Sequence, residues 1–275
     1  MAEITATEVS KLRKVTGAGM MDCKNALQES GGDFNKAIEI IRKKGQAIAN
    51  KRADREATEG VVLAKTNDNA TKGVIIVLNC ETDFVAKNDS FIKFAESILD
   101  KAISENPDNL DELKQLEIEG KIISDKIIEQ IGIIGEKLTL SYYDEIESHQ
   151  VIPYIHPGNK LATLVGLNKV ADIQVGKNLA MQVAAMNPVA VDKNDVPPEI
   201  IEKEKEIGKE QARQEGRPEN ILDRIAEGKL NKFFKESTLL NQEYTRDNKK
   251  TIRQYLQETD SELKVTGFRR YSLND

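Results

Sequence analysis

Asn79-Cys80-Glu81-Thr82-Asp83-Phe84-Val85-Ala86-Lys87-Asn88-Asp89 joins two unlike patterns. Before it, Val74-Ile75-Ile76-Val77-Leu78 is a β-branched apolar run that predicts a buried strand. After it, Asp89 or Ser90 suits a helix N-cap, and Phe91, Phe94, Ala95, Ile98 and Leu99 share one helical face. A connection between such elements runs over the surface and ordinarily avoids large apolar groups, yet this one carries Phe84 and Val85. Two readings stand. The pair tucks back under the following helix as core, or it projects as an apolar wedge toward a partner.

Working outward, the run 60–65 and the turn signal Asn67-Asp68-Asn69 pair with 74–78 as a hairpin. Asn106-Pro107-Asp108 starts a short helix. Ile122, Ile123, Ile127, Ile128 and Ile131 give a helical stripe, and 138–143 returns to strand character. A second hairpin follows over 151–156 and 161–167 through Pro157-Gly158-Asn159, then a helix over 179–186. The order strand, Leu-Asn, polar loop, helix thus occurs twice. It predicts an α+β body of two related subdomains, each a small antiparallel sheet covered by helices. Only the first loop carries the Phe-Val pair; the second reads Lys169-Val170-Ala171-Asp172.

Ahead of the body, Thr5-Ala6-Thr7-Glu8 reads as a capping box. Val9, Leu12 and Val15 would share the first helix's inner face, with Gly17 and Gly19 as its stop. A second helix over 20–29 ends at Gly31-Gly32. Asp33 caps a third that carries Phe34, Ala37, Ile38 and Ile41 and ends at Gly45. The expected organisation is a three-helix head over 1–45, a mobile linker over 46–56, and subdomains over 57–145 and 146–275. Within the last, 199–215 is dense in Glu, Lys, Gln and Arg, turns at Gly216-Arg217-Pro218, and returns through Ile221, Leu222, Ile225, Leu230, Phe233 and Phe234. This predicts a protruding helical hairpin over 199–234 with a thin apolar seam. A last helix is expected over 248–256 and an edge strand over 264–271.

Bulk properties narrow the function. The 275 residues carry a net charge of −6, and residues 1–55 hold eleven Lys and Arg against seven Asp and Glu. A mildly basic head with a single aromatic, Phe34, falls short of the dense basic and stacking surface that nucleic acid favours. No run approaches the roughly 18 apolar residues of a membrane span. Met1-Ala2-Glu3-Ile4-Thr5 has neither a basic start nor an apolar stretch, so no secretory signal is expected, and two Cys suit a reducing cytoplasm. Gly17-Ala18-Gly19 lacks the strand and third glycine of a dinucleotide fingerprint, and no phosphate-binding Gly-x-x-x-x-Gly-Lys loop occurs. His149, His156, Cys23 and Cys80 have no zinc-ligand spacing. No catalytic residue and no cofactor is expected.

Thr82-Asp83-Phe84-Val85, with Cys80 and Asn88, resembles the signature loop of the elongation factor Ts family. Leu12-Arg13-Lys14-Val15-Thr16-Gly17-Ala18-Gly19-Met20-Met21-Asp22-Cys23-Lys24-Asn25-Ala26-Leu27 resembles that family's N-terminal signature, in the family's order and spacing. The resemblance covers nearly the whole chain. It implies guanine-nucleotide exchange on the translational GTPase elongation factor Tu, in its GDP-bound and nucleotide-free states. By that likeness Arg13, Met20, Met21 and Lys24 would lie against the GTPase domain. Asp83 and Phe84, flanked by Thr82 and Val85, would push between two of its helices. His156 would add a contact, and the second subdomain would grip the GTPase's third domain. The head also resembles a ubiquitin-associated domain through residues 31–38. In some members the hairpin dimerises or meets a partner, and some continue into a further C-terminal helix. The chain departs from the pattern at Gln242-Glu243-Tyr244-Thr245, where many members read Gln-Pro-Phe-Val. Two alternatives stay open: a ubiquitin-associated-type adaptor, and an RNA-binding translation protein using the basic head.

Overall fold

The computed structural model describes residues 4–274; Met1 to Glu3 and Asp275, the outer ends of the expected head and second subdomain, lie outside them. The head has helices α1 (Ala6–Thr16), α2 (Met20–Glu29) and α3 (Phe34–Lys51). Thr5 and Glu8 form the expected capping box, Gly17 closes α1 at φ +69°, and the Asp33 carboxylate accepts the Lys36 N–H. Val9, Leu12, Cys23, Ala26, Leu27 and Ala37 make the head's core. Val15 is not among them and is exposed. At about 100° per residue, Val9, Leu12 and Thr16 define the buried stripe and Val15 stands roughly a quarter turn away.

The body runs β1 (Glu59–Thr66), β2 (Lys72–Cys80), α4 (Asp83–Ala86), α5 (Asp89–Glu105), α6 (Leu110–Gln115), β3 (Glu117–Ile118), β4 (Lys121–Ile122), α7 (Ile123–Ile134) and β5 (Thr139–Glu147). It continues with β6 (Gln150–Ile155), β7 (Leu161–Leu167), α8 (Ile173–Met186), α9 (Pro198–Gln214), α10 (Leu222–Ser237), β8 (Glu243–Tyr244), β9 (Asp247–Thr251), α11 (Ile252–Thr259) and β10 (Val265–Ser272). Two three-stranded antiparallel sheets result, β1-β2-β5 and β10-β7-β6. The strand that leads into a loop and helix, β2 or β7, is central in each, as the sequence repeat suggests.

The continuous apolar run of β2 follows from burial on both faces. Val74, Ile76 and Leu78, with Val61 and Leu63 opposite them, join Phe91, Ala95, Ile98, Ile123 and Ile127 in one core under α5 and α7. Ile75 and Val77, with Val62 and Ala64, meet Val151, Ala162 and Leu164 of the second sheet. That sheet's other face sends Ile152, Val165 and Leu167 against α8 and α11. The order is therefore helices, sheet, sheet, helices.

Three local expectations are corrected. Helix α3 does not stop at Gly45 but runs to Lys51, with Ile48 and Ala49 packed on the first core, so residues 46–51 are not a linker. Gly45 serves close approach instead: a Cβ on Gly132 of α7 would lie 2.7 Å from the Gly45 Cα. The N-cap of α5 is Asn88, whose Oδ1 accepts the Ser90 N–H at 2.9 Å. The stretch 248–251 is strand, because Thr251 and Gln254 form a capping box that starts α11 at Ile252.

The hairpin α9–α10 is closed by small residues, Gly208 packing on Ala226, with Ala212, Leu222 and Leu230 also buried. Among the described residues no helix is long and apolar enough to cross a membrane.

Candidate partner-binding site

The connection after β2 is a single helical turn, α4, rather than an irregular loop. Four residues make no stable helix alone, so its shape comes from its ties. Thr82 is the N-cap, its Oγ1 accepting the Val85 N–H at 3.4 Å. The same hydroxyl donates to Glu136 Oε1 at 2.7 Å, and the Thr82 N–H donates to Glu136 Oε2 at 3.0 Å. At the strand end, Cys80 Sγ donates to the Thr82 carbonyl at 3.1 Å. Burial, then the nearby Glu136 carboxylate, pushes that thiol up to about 12.

With the turn's phase set by its cap, Val85 is half-buried on the first core and Ala86 is buried. Phe84 points the other way and is 83% exposed. The two sequence readings divide between two neighbours: Val85 is the tuck and Phe84 the projection. Asp83 accepts a 2.6 Å ion-paired hydrogen bond from Lys87, four residues on. That bond, helped by the positive charges of Lys87 and Lys160, holds the Asp83 carboxyl below its ordinary value against the opposing effect of burial. Lys87 was not singled out in the sequence, although i,i+4 spacing on this turn would have indicated it.

His156 lies exposed at the β6–β7 turn, its N–H closing the turn onto Leu161 O at 2.8 Å and its Nδ1 2.9 Å from the Tyr154 hydroxyl. This turn sits at the same end of the body as Phe84. Asn159 O accepts the Val62 N–H at 2.7 Å, Lys160 pairs with Glu59 at 2.7 Å, and Glu59 stands opposite Cys80 in the sheet register.

Arg13, Met20, Met21 and Lys24 are all exposed around the α1–α2 corner. Met20 at 57% and Met21 at 63% stand exposed at this corner, and Val15, expected on the inner face, is exposed as well. Among the described residues no hydrogen bond or ion pair joins these four to 82–85. The corner is nevertheless close: the Cδ1 of Ile133 is 3.0 Å from where a Gly17 Cβ would be. Glu136, which holds Thr82, follows three residues later, at most about 11 Å along the chain at 3.8 Å per residue. The head corner and the Phe84 turn therefore both adjoin the C-terminal end of α7, and the β6–β7 turn lies against β1 at the same end of the body. Thr245 is exposed, while Tyr244 is buried and stacked on Tyr255 at 4.4 Å.

The family model described as elongation factor TS matches residues 81–275, beginning at the foot of this turn. The chain belongs to the elongation factor Ts family. Elongation factor Ts of Porphyromonas gingivalis is 52% identical over 272 residues, covering 98% of each chain. That of Amoebophilus asiaticus is 53% identical over 270 residues, 97% of this chain and 98% of the relative. That of Christiangramia forsetii is 51% identical over 275 residues, 99% and 100% respectively. These alignments include the head, which the family model leaves out. As an elongation factor Ts, the chain is a nucleotide-exchange factor for elongation factor Tu in translation, and not an enzyme.

Proposed function

We propose that the α4 turn is the element through which this chain drives exchange. Phe84, steadied by Asp83, enters between two helices of the GTPase domain and disturbs the magnesium and phosphate end of the partner's nucleotide site. The observation that carries this is a Phe 83% exposed on a turn tied at both ends, a large apolar group held out in solvent while its neighbour Val85 packs on the core. Arg13, Met20, Met21 and Lys24 of the head lie against the same domain, and Thr82, Val85 and His156 complete the contact. The second subdomain grips the third domain of the GTPase. Its loop offers Val170 at 76% and Ile173 at 54% exposure, at the position that corresponds to the Phe84 turn.

Magnitudes require this breadth. Burying a Phe supplies roughly 1.5–3 kcal/mol, whereas loosening nucleotide about a thousandfold takes roughly 4 kcal/mol. Phe84 cannot supply this alone, and the head and second subdomain must bind the loosened state better. Coupling is reciprocal, so GDP weakens the factor by the ratio in which the factor weakens GDP. The chain accordingly meets both GDP-bound and nucleotide-free elongation factor Tu, without a cofactor and without direct contact to nucleic acid, in the cytoplasm.

The same reading treats the chain as a head, two subdomains and a hairpin. The helical continuation to Lys51 favours a head boundary there over one at residue 45. Self-association through the hairpin rests on Ile207 at 38% exposure and on the partly exposed Phe233 and Phe234. The deciding experiment is stopped-flow release of labelled GDP from elongation factor Tu. Release accelerated in proportion to added chain supports the reading, and an unchanged spontaneous rate at saturating chain rejects it.

A further inference from the structure

We infer that Glu136 is a positioning residue for exchange, setting the direction in which Phe84 projects. The inference rests on the reading of Phe84 as the wedge. Both oxygens of its carboxylate are committed to Thr82, one to the N–H at 3.0 Å and one to the hydroxyl at 2.7 Å. With its proton drawn to Glu136, the Thr82 hydroxyl turns a lone pair to the Val85 N–H, which is the cap of α4. Without Glu136 that hydroxyl rotates freely. A four-residue turn then has no fixed start, and Phe84 samples several directions.

The tie is reciprocal. Glu81, beside Thr82, accepts the N–H of Lys137, beside Glu136, at 2.6 Å. The Arg52 Nη1 also donates to both Glu81 carboxylate oxygens, at 2.7 and 2.9 Å. Arg52 is the C-cap of α3, and Lys137 Nζ donates to the carbonyls of Ala53 at 2.7 Å and Arg55 at 2.9 Å. Two adjacent pairs, Glu81-Thr82 and Glu136-Lys137, are thereby cross-tied, and the end of the head's long helix is bound into the same knot. Burial alone would raise the Glu81 carboxyl, but the Lys137 N–H and the Arg52 guanidinium outweigh it and hold it below its ordinary value. The Glu81 hydrogen bonds end on the Lys137 N–H, beside Glu136, and on the Arg52 side chain at the end of α3, so the same carboxylate ties the wedge's support to the head.

The test is a double-mutant cycle between Glu136→Ala and Phe84→Ala in the full chain, reading melting, affinity for nucleotide-free elongation factor Tu, and GDP release at saturating chain. Glu136→Ala is expected to slow saturated release about tenfold, the factor that one charge-assisted hydrogen bond is worth, with affinity within about threefold. In the Phe84→Ala background it is expected to slow release no further. Glu136→Gln, whose amide oxygen accepts the Thr82 N–H while its NH2 donates to the Thr82 hydroxyl and still leaves that oxygen a lone pair for the Val85 N–H, should recover most of the rate. If Glu136→Ala fails to fold, Glu136→Asp keeps the charge but is one methylene too short to meet both groups, and should show the same selective loss. Wild-type release by these variants while Phe84→Ala is slow overturns the positioning role alone, as does a loss that adds in full to that of Phe84→Ala. Wild-type release by Phe84→Ala overturns the wedge reading itself.

Discussion

Truncating Phe84 to Ala separates a structural role from an interfacial one by magnitude. A side chain 83% exposed leaves under a fifth of its surface covered in the free protein. With roughly 150–250 Å² of buriable area on an aromatic side chain and ~25 cal/mol per Å², truncation removes about 1 kcal/mol or less of burial. Alanine's better helix propensity returns a few tenths of that on the turn Asp83–Ala86. At roughly 2–4 °C per kcal/mol, the melting temperature should move by no more than about 3 °C. A core Phe would instead cost about 3–5 kcal/mol. In the complex the exposed part is covered, which is worth roughly 1–2.5 kcal/mol. If that energy is realised only as nucleotide leaves, saturated GDP release slows by roughly five- to seventyfold. The assay pairs differential scanning fluorimetry with stopped-flow release on the same preparation. A variant that melts 8 °C or more lower in rough terms and still releases GDP at the wild-type rate returns Phe84 to the core. A variant unchanged in both leaves it exposed but idle. Either result refutes the reasoning.

Gly132→Ala should destabilise the chain by about 1–3 kcal/mol, because its Cβ would lie 2.7 Å from the Gly45 backbone. Gly45→Ala meets only ordinary contacts at 3.4 Å and beyond, so it should be neutral or gain up to about 1 kcal/mol from helix propensity; urea unfolding of the two variants checks the asymmetry. Cys80 and Tyr142 are each pushed up to about 12, first by burial and then by Glu136 and Asp144 respectively. The fold holds their neutral forms, so this contribution is complete below their ordinary values of 9.0 and 10.0 and is lost as pH rises toward the folded values. Urea midpoints should fall across that range, with the upper part of the fall flattened in Tyr142→Phe. Replacing residues 199–234 by a Gly-Ser loop should leave GDP release unchanged, and sedimentation with and without the hairpin tests self-association. An oligomeric state that is the same in both across concentration removes the dimer role.

Much of the fold was legible because it is written locally. The caps Thr5-Glu8 and Asp33, the apolar run 74–78 and the repeated strand-loop-helix order each act over a few residues. Gly45 misled because glycine is favoured both where a helix ends and where two helices touch, and its neighbour Gly132 lies 87 residues away in the chain. Val15 misled because it borders the buried stripe of α1 without belonging to it. The β3–β4 turn escaped notice because its strands are two residues long and its Glu119-Gly120 pair, at φ +53° and +74°, lacks the usual Asn-Gly letters. At the site, Phe84 stood out as an apolar residue in a connector. Glu81 and Glu136 did not, being two among 46 acidic residues. Their partners Lys137 and Thr82 lie 56 and 54 residues away, a distance at which sequence pattern carries no signal.

The β1–β2 hairpin lends alternate side chains to two cores, one beneath α5 and α7 and one between the sheets. A ribbon shared in this way ties their melting together, since neither half can open without exposing an apolar face of the other. The body should then unfold in one calorimetric transition rather than one per half, and the amides of β2 should exchange with deuterium only through global opening. The turn bearing Phe84 springs from the end of this strand. Load placed on the aromatic ring is therefore resisted by the cooperative stability of the whole body, not by the few bonds of a local hairpin.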